Sequence, residues 1–171
     1  MKLSKNFSLD EVIRSATATK LGIDNTPEQE HLDNLQVVVD EIAQPLRDHF
    51  GKPVRINSGY RSPALNEAIG GSTKSQHSKG EALDLEIDGV SNLEVADWIT
   101  DNCDYDQVIL EFYNPTDGPN SGWVHCSYKN GDDNRKEYLI AFRDANGKTA
   151  YQKEYSDATG PTQEEVNESL I

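Results

Sequence analysis

The sequence predicts an α+β domain, in which helices pack on a mainly antiparallel sheet. Apolar residues recur at helical spacing along one long segment in the first third of the chain, whereas short segments of alternating polarity, separated by turn residues, fill most of the remainder. A length of 171 residues suits one domain with a single core. We therefore expect one folded unit over residues 1–155 and a polar, acidic, poorly ordered tail over residues 156–171.

Two helices are predicted before the first strand. Ser8 and Glu11 form the pattern of a capping box and open the first helix. Thr26 as N-cap and Pro27 at the first helical position open the second. The apolar residues at helical spacing in this second helix are Leu32, Leu35, Val38, Val39, Ile42 and Leu46. A glycine and a proline in segment 51–53 end it.

Strands dominate the rest of the chain. The predicted elements are strand 54–58, helix 63–69, strand 82–87, helix 92–102, strand 105–112, strand 123–128, and a hairpin of strands 138–142 and 149–155. A loop rich in turn residues joins the strand at 105–112 to the strand at 123–128, which predicts an antiparallel pair. In the strand at 82–87, Leu83, Leu85 and Ile87 share one face, whereas Asp84 and Glu86 share the other.

The charge of the chain excludes some classes of partner. A formal net charge of -14 leaves no basic footprint for nucleic acid and disfavours an anionic membrane surface. No segment has the apolar length needed to cross a bilayer, and the first residues lack the apolar run of a signal peptide. We expect a monomer that is cytoplasmic as synthesised, although removal of an earlier signal peptide would leave the same sequence.

Three side chains have the chemistry of a catalytic zinc site. His77 and Asp84 are separated by a loop that contains Gly80, which gives the backbone freedom to fold back, and His125 lies on a later strand. Two imidazoles and one carboxylate are ligands that zinc uses, and three protein ligands leave a fourth position open for water. A histidine taken alone is more often structural, so this set needs supporting context.

The chain has two cysteines, Cys103 and Cys126, which are too few for a disulfide framework and are expected to be free thiols. Cys126 follows His125 directly in the sequence. Neighbouring side chains on a strand point to opposite faces, so we exclude Cys126 as a ligand of the same site.

Hydrolysis at such a site also needs a general base. If strands 105–112 and 123–128 pair through their loop, Glu111 lies opposite Trp123 or His125 and shares their face. Glu111 is therefore the first candidate, because a glutamate there could take a proton from water and pass it to the leaving amine. Glu86 is the second candidate, since it shares a strand face with Asp84. Either glutamate could instead be an ordinary exposed strand carboxylate.

Separated sequence blocks resemble the zinc D-Ala-D-Ala carboxypeptidase family of peptidoglycan peptidases. The blocks are residues 22–27, the S-G-Y-R-S segment at 58–62, residues 75–84 and residues 123–127. The resemblance covers about residues 5 to 130 and includes phage endolysins, D-Ala-D-Ala dipeptidases and, by fold, the hedgehog amino-terminal domain. It implies one zinc ion per chain, with His77, Asp84 and His125 as ligands.

The resemblance also implies roles for residues beside the ligands. Arg61 would hold a carboxylate or carbonyl oxygen of the substrate, which suits its guanidinium group. The residues expected to orient the ligands or the substrate are Ser75, Gln76, Tyr60, Trp123 and Ser127. Many relatives carry the catalytic acid/base three residues before the last histidine, where this chain has Gly122. The carboxylate must then come from elsewhere.

The sequence thus predicts a zinc peptidase that acts on cell-wall stem peptides as a carboxypeptidase or endopeptidase. By analogy, a protein without a signal peptide could be a phage endolysin that reaches the wall after lysis or release, or a virion-associated enzyme. Two alternatives remain: a non-catalytic wall-binding or virion module that keeps the zinc, and a cytoplasmic D,D-dipeptidase. Fold alone does not separate them.

Overall fold

A computed structural model describes residues 1–153, and within them six strands form one sheet. The strands are β1 (Val54–Ser58), β2 (Ala82–Ile87), β3 (Gln107–Glu111), β4 (Trp123–Ser127), β5 (Glu137–Arg143) and β6 (Thr149–Lys153). They lie in the order β1-β2-β4-β3-β5-β6. Every neighbouring pair is antiparallel except β3 and β5. The predicted α+β class is confirmed.

Six α-helices accompany this sheet in the described residues. They are α1 (Leu9–Ile13), α2 (Ala16–Leu21), α3 (Gln29–Val38), α4 (Gln44–Phe50), α5 (Pro63–Ala68) and α6 (Asn92–Asn102). The predicted capping box is present at α1, where the backbone N–H of Ser8 donates to the Glu11 carboxylate at 2.7 Å. Helix α2 was not predicted; Ser15 caps it by accepting from the N–H of Ala18 at 3.1 Å.

The predicted start of the long helix is wrong by two residues. Helix α3 begins at Gln29 with Glu28 as its N-cap, so Thr26 and Pro27 lie before the helix. The cause is Asp24, whose side chain accepts the backbone N–H of Thr26 at 2.9 Å. This local turn uses the Thr26 N–H and fixes a non-helical backbone.

A π-helical turn, Val39–Ala43, joins α3 to α4, and the three segments form the long helix that the apolar spacing predicts. In this turn the backbone N–H of Gln44 donates to the carbonyl of Val39, five residues earlier. Pro45, directly after it, has no N–H to continue the α-helical pattern. The residues that are fully buried along the helix are Leu35, Val38, Val39, Ile42, Ala43 and Leu46.

The central strands bury one face and leave the other for polar chemistry. Leu83, Leu85 and Ile87 of β2 are fully buried in the core, as the alternation predicts. Cys126 of β4 is also in this core, and both cysteines are free. Asp84 therefore lies on the opposite face, where the strands carry the site.

The last hairpin was predicted from the sequence, which made no prediction of its place in the sheet. Strands β5 and β6 pair antiparallel, and β5 also pairs parallel with β3. The predicted end of the hairpin at Tyr155 and the tail at 156–171 lie outside the described residues. No helix within residues 1–153 is long and apolar enough to cross a membrane.

Candidate metal and catalytic site

The fold brings the three predicted ligands together. His77 lies in a 3₁₀ turn, Gln76–Lys79, that leads into β2, and Asp84 on β2 is the direct partner of His125 on β4. Asp84 Oδ1 is 3.3 Å from His77 Nε2 and 3.1 Å from His125 Nδ1. One ligand atom from each residue lies within 4.8 Å of the others, so this set could hold a metal ion.

Hydrogen bonds fix the orientation of His77. Its ring is buried, and its Nδ1 lies 2.8 Å from the carbonyl oxygen of Gly59, to which Nδ1–H donates. That bond leaves Nε2 free to act as the ligand atom, which is how a metal-binding histidine is usually held. Ser75 Oγ accepts the backbone N–H of His77 at 3.2 Å. Ser75 therefore shapes the ligand turn, as expected from the sequence.

Asp84 is held in the ionised form that a metal ligand needs. Burial acts to raise its pKa, but the charges and hydrogen bonds of His77 and His125 hold the pKa well below its usual range. The donor set of two imidazole nitrogens and one carboxylate oxygen is one that zinc accepts. The residues present thus fit a zinc ion.

Gly80 ends the ligand turn in a left-handed conformation, with φ of 73°. A Cβ at this position would collide with the backbone carbonyl of His31. Only glycine allows both the conformation and this close approach to the end of the turn. The sequence-based role of Gly80 is confirmed.

Glu111 occupies the position that the strand register predicts. It pairs with Trp123 across β3 and β4, two pairs away from Ile109 and His125 and therefore on the same face. It lines a cavity of about 470 Å³ together with His77, Asp84 and His125. Burial, followed by the negative charge of Asp84, raises the pKa of Glu111 to about 7, against the opposing effects of His125, Trp123 and Arg61.

Glu86, the second candidate base, lies outside this cavity. Its carboxylate accepts hydrogen bonds from Arg55 at 3.1 Å, Asn57 at 2.8 Å and Asn92 at 3.3 Å. These bonds tie β1, β2 and the start of α6 together. Glu86 therefore has a structural role in joining these elements, although its side chain leaves β2 on the same face as Asp84.

The structure explains why no carboxylate stands three residues before His125. Gly122 has φ of 68°, and a Cβ there would collide with the backbone carbonyl of Glu111. Any side chain at this position would push apart the strand ends that carry Glu111 and Trp123. The loop that joins β3 to β4 is thus compatible with a base at Glu111 and incompatible with one at position 122.

Arg61 reaches the same cavity from the loop after β1. Its backbone N–H donates to the carbonyl of His77 at 3.1 Å. Its Nε is buried with no hydrogen-bond partner among the described residues. Burial lowers the pKa of its guanidinium, whereas Asp84 and Glu111 act to raise it. Arg61 lines this cavity, so its guanidinium lies where an oxygen of a substrate could bind.

Asn25 holds this loop in place, a role that the sequence did not reveal. Its Nδ2 donates to the carbonyl of Tyr60 at 3.0 Å, and its Oδ1 accepts the N–H of Ser62 at 2.7 Å. Asn25 thus holds the residues on both sides of Arg61. The signal available was its place in block 22–27, one of the blocks that carry the family resemblance.

The remaining predicted site residues fall into two groups. Gln76 and Trp123 line the cavity with the ligands, and Trp123 Nε1 is buried without a partner among residues 1–153. Tyr60 and Ser127 do not line it. The Tyr60 ring is buried against His31, and Ser127 Oγ accepts the backbone N–H of Gln107 at 3.1 Å.

The last hairpin adds cavity residues that the sequence did not identify. Arg135, just before β5, and Tyr151 on β6 both line the cavity beside Glu111. Their position follows from the parallel pairing of β5 with β3. No local pattern in the sequence indicates that pairing, so neither residue could have been assigned to the site beforehand.

A buried aspartate joins this hairpin segment to the ligand turn. Asp106 is fully buried and accepts hydrogen bonds from Arg135 Nη2 at 2.8 Å and from Gln76 Nε2 at 2.9 Å. Burial acts to raise its pKa, but the bonds from Arg135 and Gln76 bring the pKa down to about 2. Asp106 therefore connects the turn that carries His77 to the segment before β5.

Replacing Asp106 with Asn is expected to lower the free energy of unfolding by about 1–3 kcal/mol at pH 7, because charge-assisted hydrogen bonds are lost. The folded pKa of Asp106 is below its usual value of 3.8. This stabilisation is thus complete above about pH 4 and is lost as the pH falls toward 2. Urea unfolding at pH 7 and pH 3 measures the difference, which should shrink at the lower pH.

The matched control is Asp132→Asn, which removes the same charge from an exposed side chain. That variant should unfold like the wild type at both pH values. Equal destabilisation by the two substitutions would show that net charge, and not the Asp106 hydrogen bonds, sets the effect.

The chain matches the family model described as Peptidase M15 over residues 5–127. The matched region includes His77, Asp84, His125, Glu111 and Arg61, and it ends with β4. It leaves out the β5–β6 hairpin, which contributes one wall of the cavity. A search of curated proteins finds no match to this chain.

Proposed function

Because the chain belongs to the Peptidase M15 family of zinc D-Ala-D-Ala carboxypeptidase-like proteins, we propose that it is a zinc peptidase that hydrolyses stem peptides of bacterial peptidoglycan. The observation that carries the proposal is the meeting of His77, Asp84 and His125 in one cavity with Glu111. Residues from four separate segments supply ligands and a carboxylate at one place. A purely structural metal site would have no need of the cavity or of a glutamate with a raised pKa in its wall.

The metal would be one zinc ion per chain, held by His77 Nε2, His125 Nδ1 and the Asp84 carboxylate. When bound, it would act as a Lewis acid that activates water and polarises the scissile carbonyl. The chain prepares this site in two ways. The Gly59 carbonyl fixes the His77 ring, and the neighbouring histidines keep Asp84 ionised.

Glu111 would move the proton. Burial raises the pKa of Glu111, which favours a group that can both take up and release a proton near neutral pH. It would accept a proton from the attacking water and return it to the amine that leaves. Its position in the register opposite Trp123 keeps it on the ligand face of the sheet.

Arg61 would bind a substrate oxygen. The hydrogen bond from its backbone N–H to the His77 carbonyl holds it at the edge of the cavity. A guanidinium there can donate to the carbonyl oxygen while negative charge develops on it, or to a nearby substrate carboxylate. Gln76 and Ser75 support the turn behind this oxygen site.

Defined peptides test the proposal. Zinc-loaded protein would be incubated with a stem pentapeptide, a cross-linked peptide dimer and free D-Ala-D-Ala, and the products identified by mass spectrometry. We expect hydrolysis of a stem peptide that stops with chelator and returns with zinc. Hydrolysis of the free dipeptide alone would identify a dipeptidase, and binding without any hydrolysis would identify a non-catalytic module.

A further inference from the structure

A second cavity of about 760 Å³ adjoins the metal-site cavity, and Arg61 lines both. It is lined by residues of α2, α5 and β1. We call it the Arg14 groove. Because Arg61 lines both cavities, one extended peptide could occupy the two together.

The groove is cationic in a strongly acidic protein. Arg14 and Lys20 line it with Arg61, and no carboxylate is among the described residues that do so. Neither Arg14 nor Lys20 forms an ion pair with any carboxylate in residues 1–153. Arg14, Lys20 and Arg61 thus form a local cluster of positive charge in a chain whose net charge is -14.

The floor of the groove is apolar. Leu65, Ile56 and Tyr60 are buried beneath it, and Ile69, with 44% of its surface exposed, lies at its edge. An apolar floor beside unpaired cations suits a ligand that has an aliphatic stem and a carboxylate. A phosphate or other compact anion would leave the floor uncovered.

We propose that the Arg14 groove binds a carboxylate-bearing segment of the peptide substrate, and that Arg14 and Lys20 select the acidic peptide over its amidated form. The proposal rests on the proposed peptidase function. The selection is electrostatic: the amide keeps the shape of the acid and loses the charge that the two cations attract.

The test compares two peptides and two double variants. The peptides are L-Ala-γ-D-Glu-L-Lys-D-Ala-D-Ala and the same peptide with the D-Glu α-carboxylate amidated. The variant Arg14→Gln/Lys20→Gln removes two of the groove cations and keeps Arg61, which also lines the metal-site cavity. The control Lys5→Gln/Lys129→Gln makes the same change of net charge at exposed lysines outside the groove. Thermal melting confirms that both variants are folded.

We expect the groove variant to raise KM for the acidic peptide about three- to tenfold, with kcat unchanged, since each partly exposed ion pair contributes modestly. KM for the amidated peptide should not change, and the control should resemble the wild type for both. Calorimetric titration of zinc-loaded Glu111→Gln protein, with and without the groove substitutions, gives the same comparison as binding constants without turnover.

Failure of the groove proposal and failure of the proposed peptidase function would give different results. If the wild type cleaves both peptides with equal KM, or if the groove variant affects both peptides alike, the groove proposal is overturned and the peptidase function stands. If the zinc-loaded wild type neither binds nor cleaves either peptide or any other stem peptide, the proposed function fails and the groove proposal fails with it.

Discussion

Replacing Glu111 with Gln is expected to lower kcat on a stem peptide by about 10²–10⁴-fold, the usual contribution of a general base. Glutamine keeps the shape of Glu111 but cannot accept and return a proton. Zinc should stay bound, since Glu111 is not one of the three ligand residues. Single-turnover kinetics together with metal analysis of the same preparation separate the two effects.

Glu86→Gln is the matched control, because Glu86 leaves the same face of the sheet as Asp84 yet lies outside the cavity. Its carboxylate is occupied by Arg55, Asn57 and Asn92, so its loss should reduce stability more than kcat. If the Glu86→Gln variant is inactive and the Glu111→Gln variant is active, the assignment of Glu111 as the general base is wrong.

Replacing His125 with Ala is expected to abolish stoichiometric zinc. His125 supplies one of three ligand atoms and lies directly opposite Asp84, so its removal leaves two protein ligands. Inductively coupled plasma mass spectrometry, after dialysis against a weak chelator, measures the zinc content of the variant. Activity on every stem peptide should be lost with the metal.

The control for this change is His49→Ala, which removes a histidine that stacks on Trp98 at 4.6 Å, away from the site. That variant should keep one zinc per chain. A full equivalent of zinc in His125→Ala after the same dialysis would show that the ligand set is wrong.

Much of the site could be predicted because side chains on a strand alternate between faces. The apolar residues Leu83 and Leu85 fix the buried face of β2, and that choice places Asp84 on the other. The same rule excludes Cys126 and, once β3 and β4 are paired, places Glu111 beside Trp123. The alternation of side chains, together with the pairing of β3 and β4 through the loop that joins them, was sufficient to place Asp84 and Glu111 on the same face of the sheet.

Other features depend on contacts between residues far apart in sequence. The parallel pairing of β5 with β3, which brings Arg135 and Tyr151 to the cavity, has no local signature. The bonds from Asn25 that hold Tyr60 and Ser62 likewise become visible only in three dimensions. A spacing rule cannot reveal them, because their partners are set by tertiary packing.

Competing local interactions account for the error at the long helix. Thr26 followed by Pro27 is a good start signal for a helix, but the side chain of Asp24 already accepts the Thr26 N–H. The helix therefore begins later, at Gln29. A helix cap at Thr26 and a turn closed by the Asp24 side chain are local interactions of similar strength. The sequence alone therefore does not determine the first residue of the helix.

Digestion of purified peptidoglycan sacculi tests the central claim most directly. Zinc-loaded wild type, wild type with chelator and Glu111→Gln protein would be compared, and the released fragments identified by mass spectrometry. The account predicts that the wild type alone generates new peptide termini, and that adding zinc back after chelation restores them. Intact sacculi with the zinc-loaded wild type, or equal release with chelator present, would contradict it.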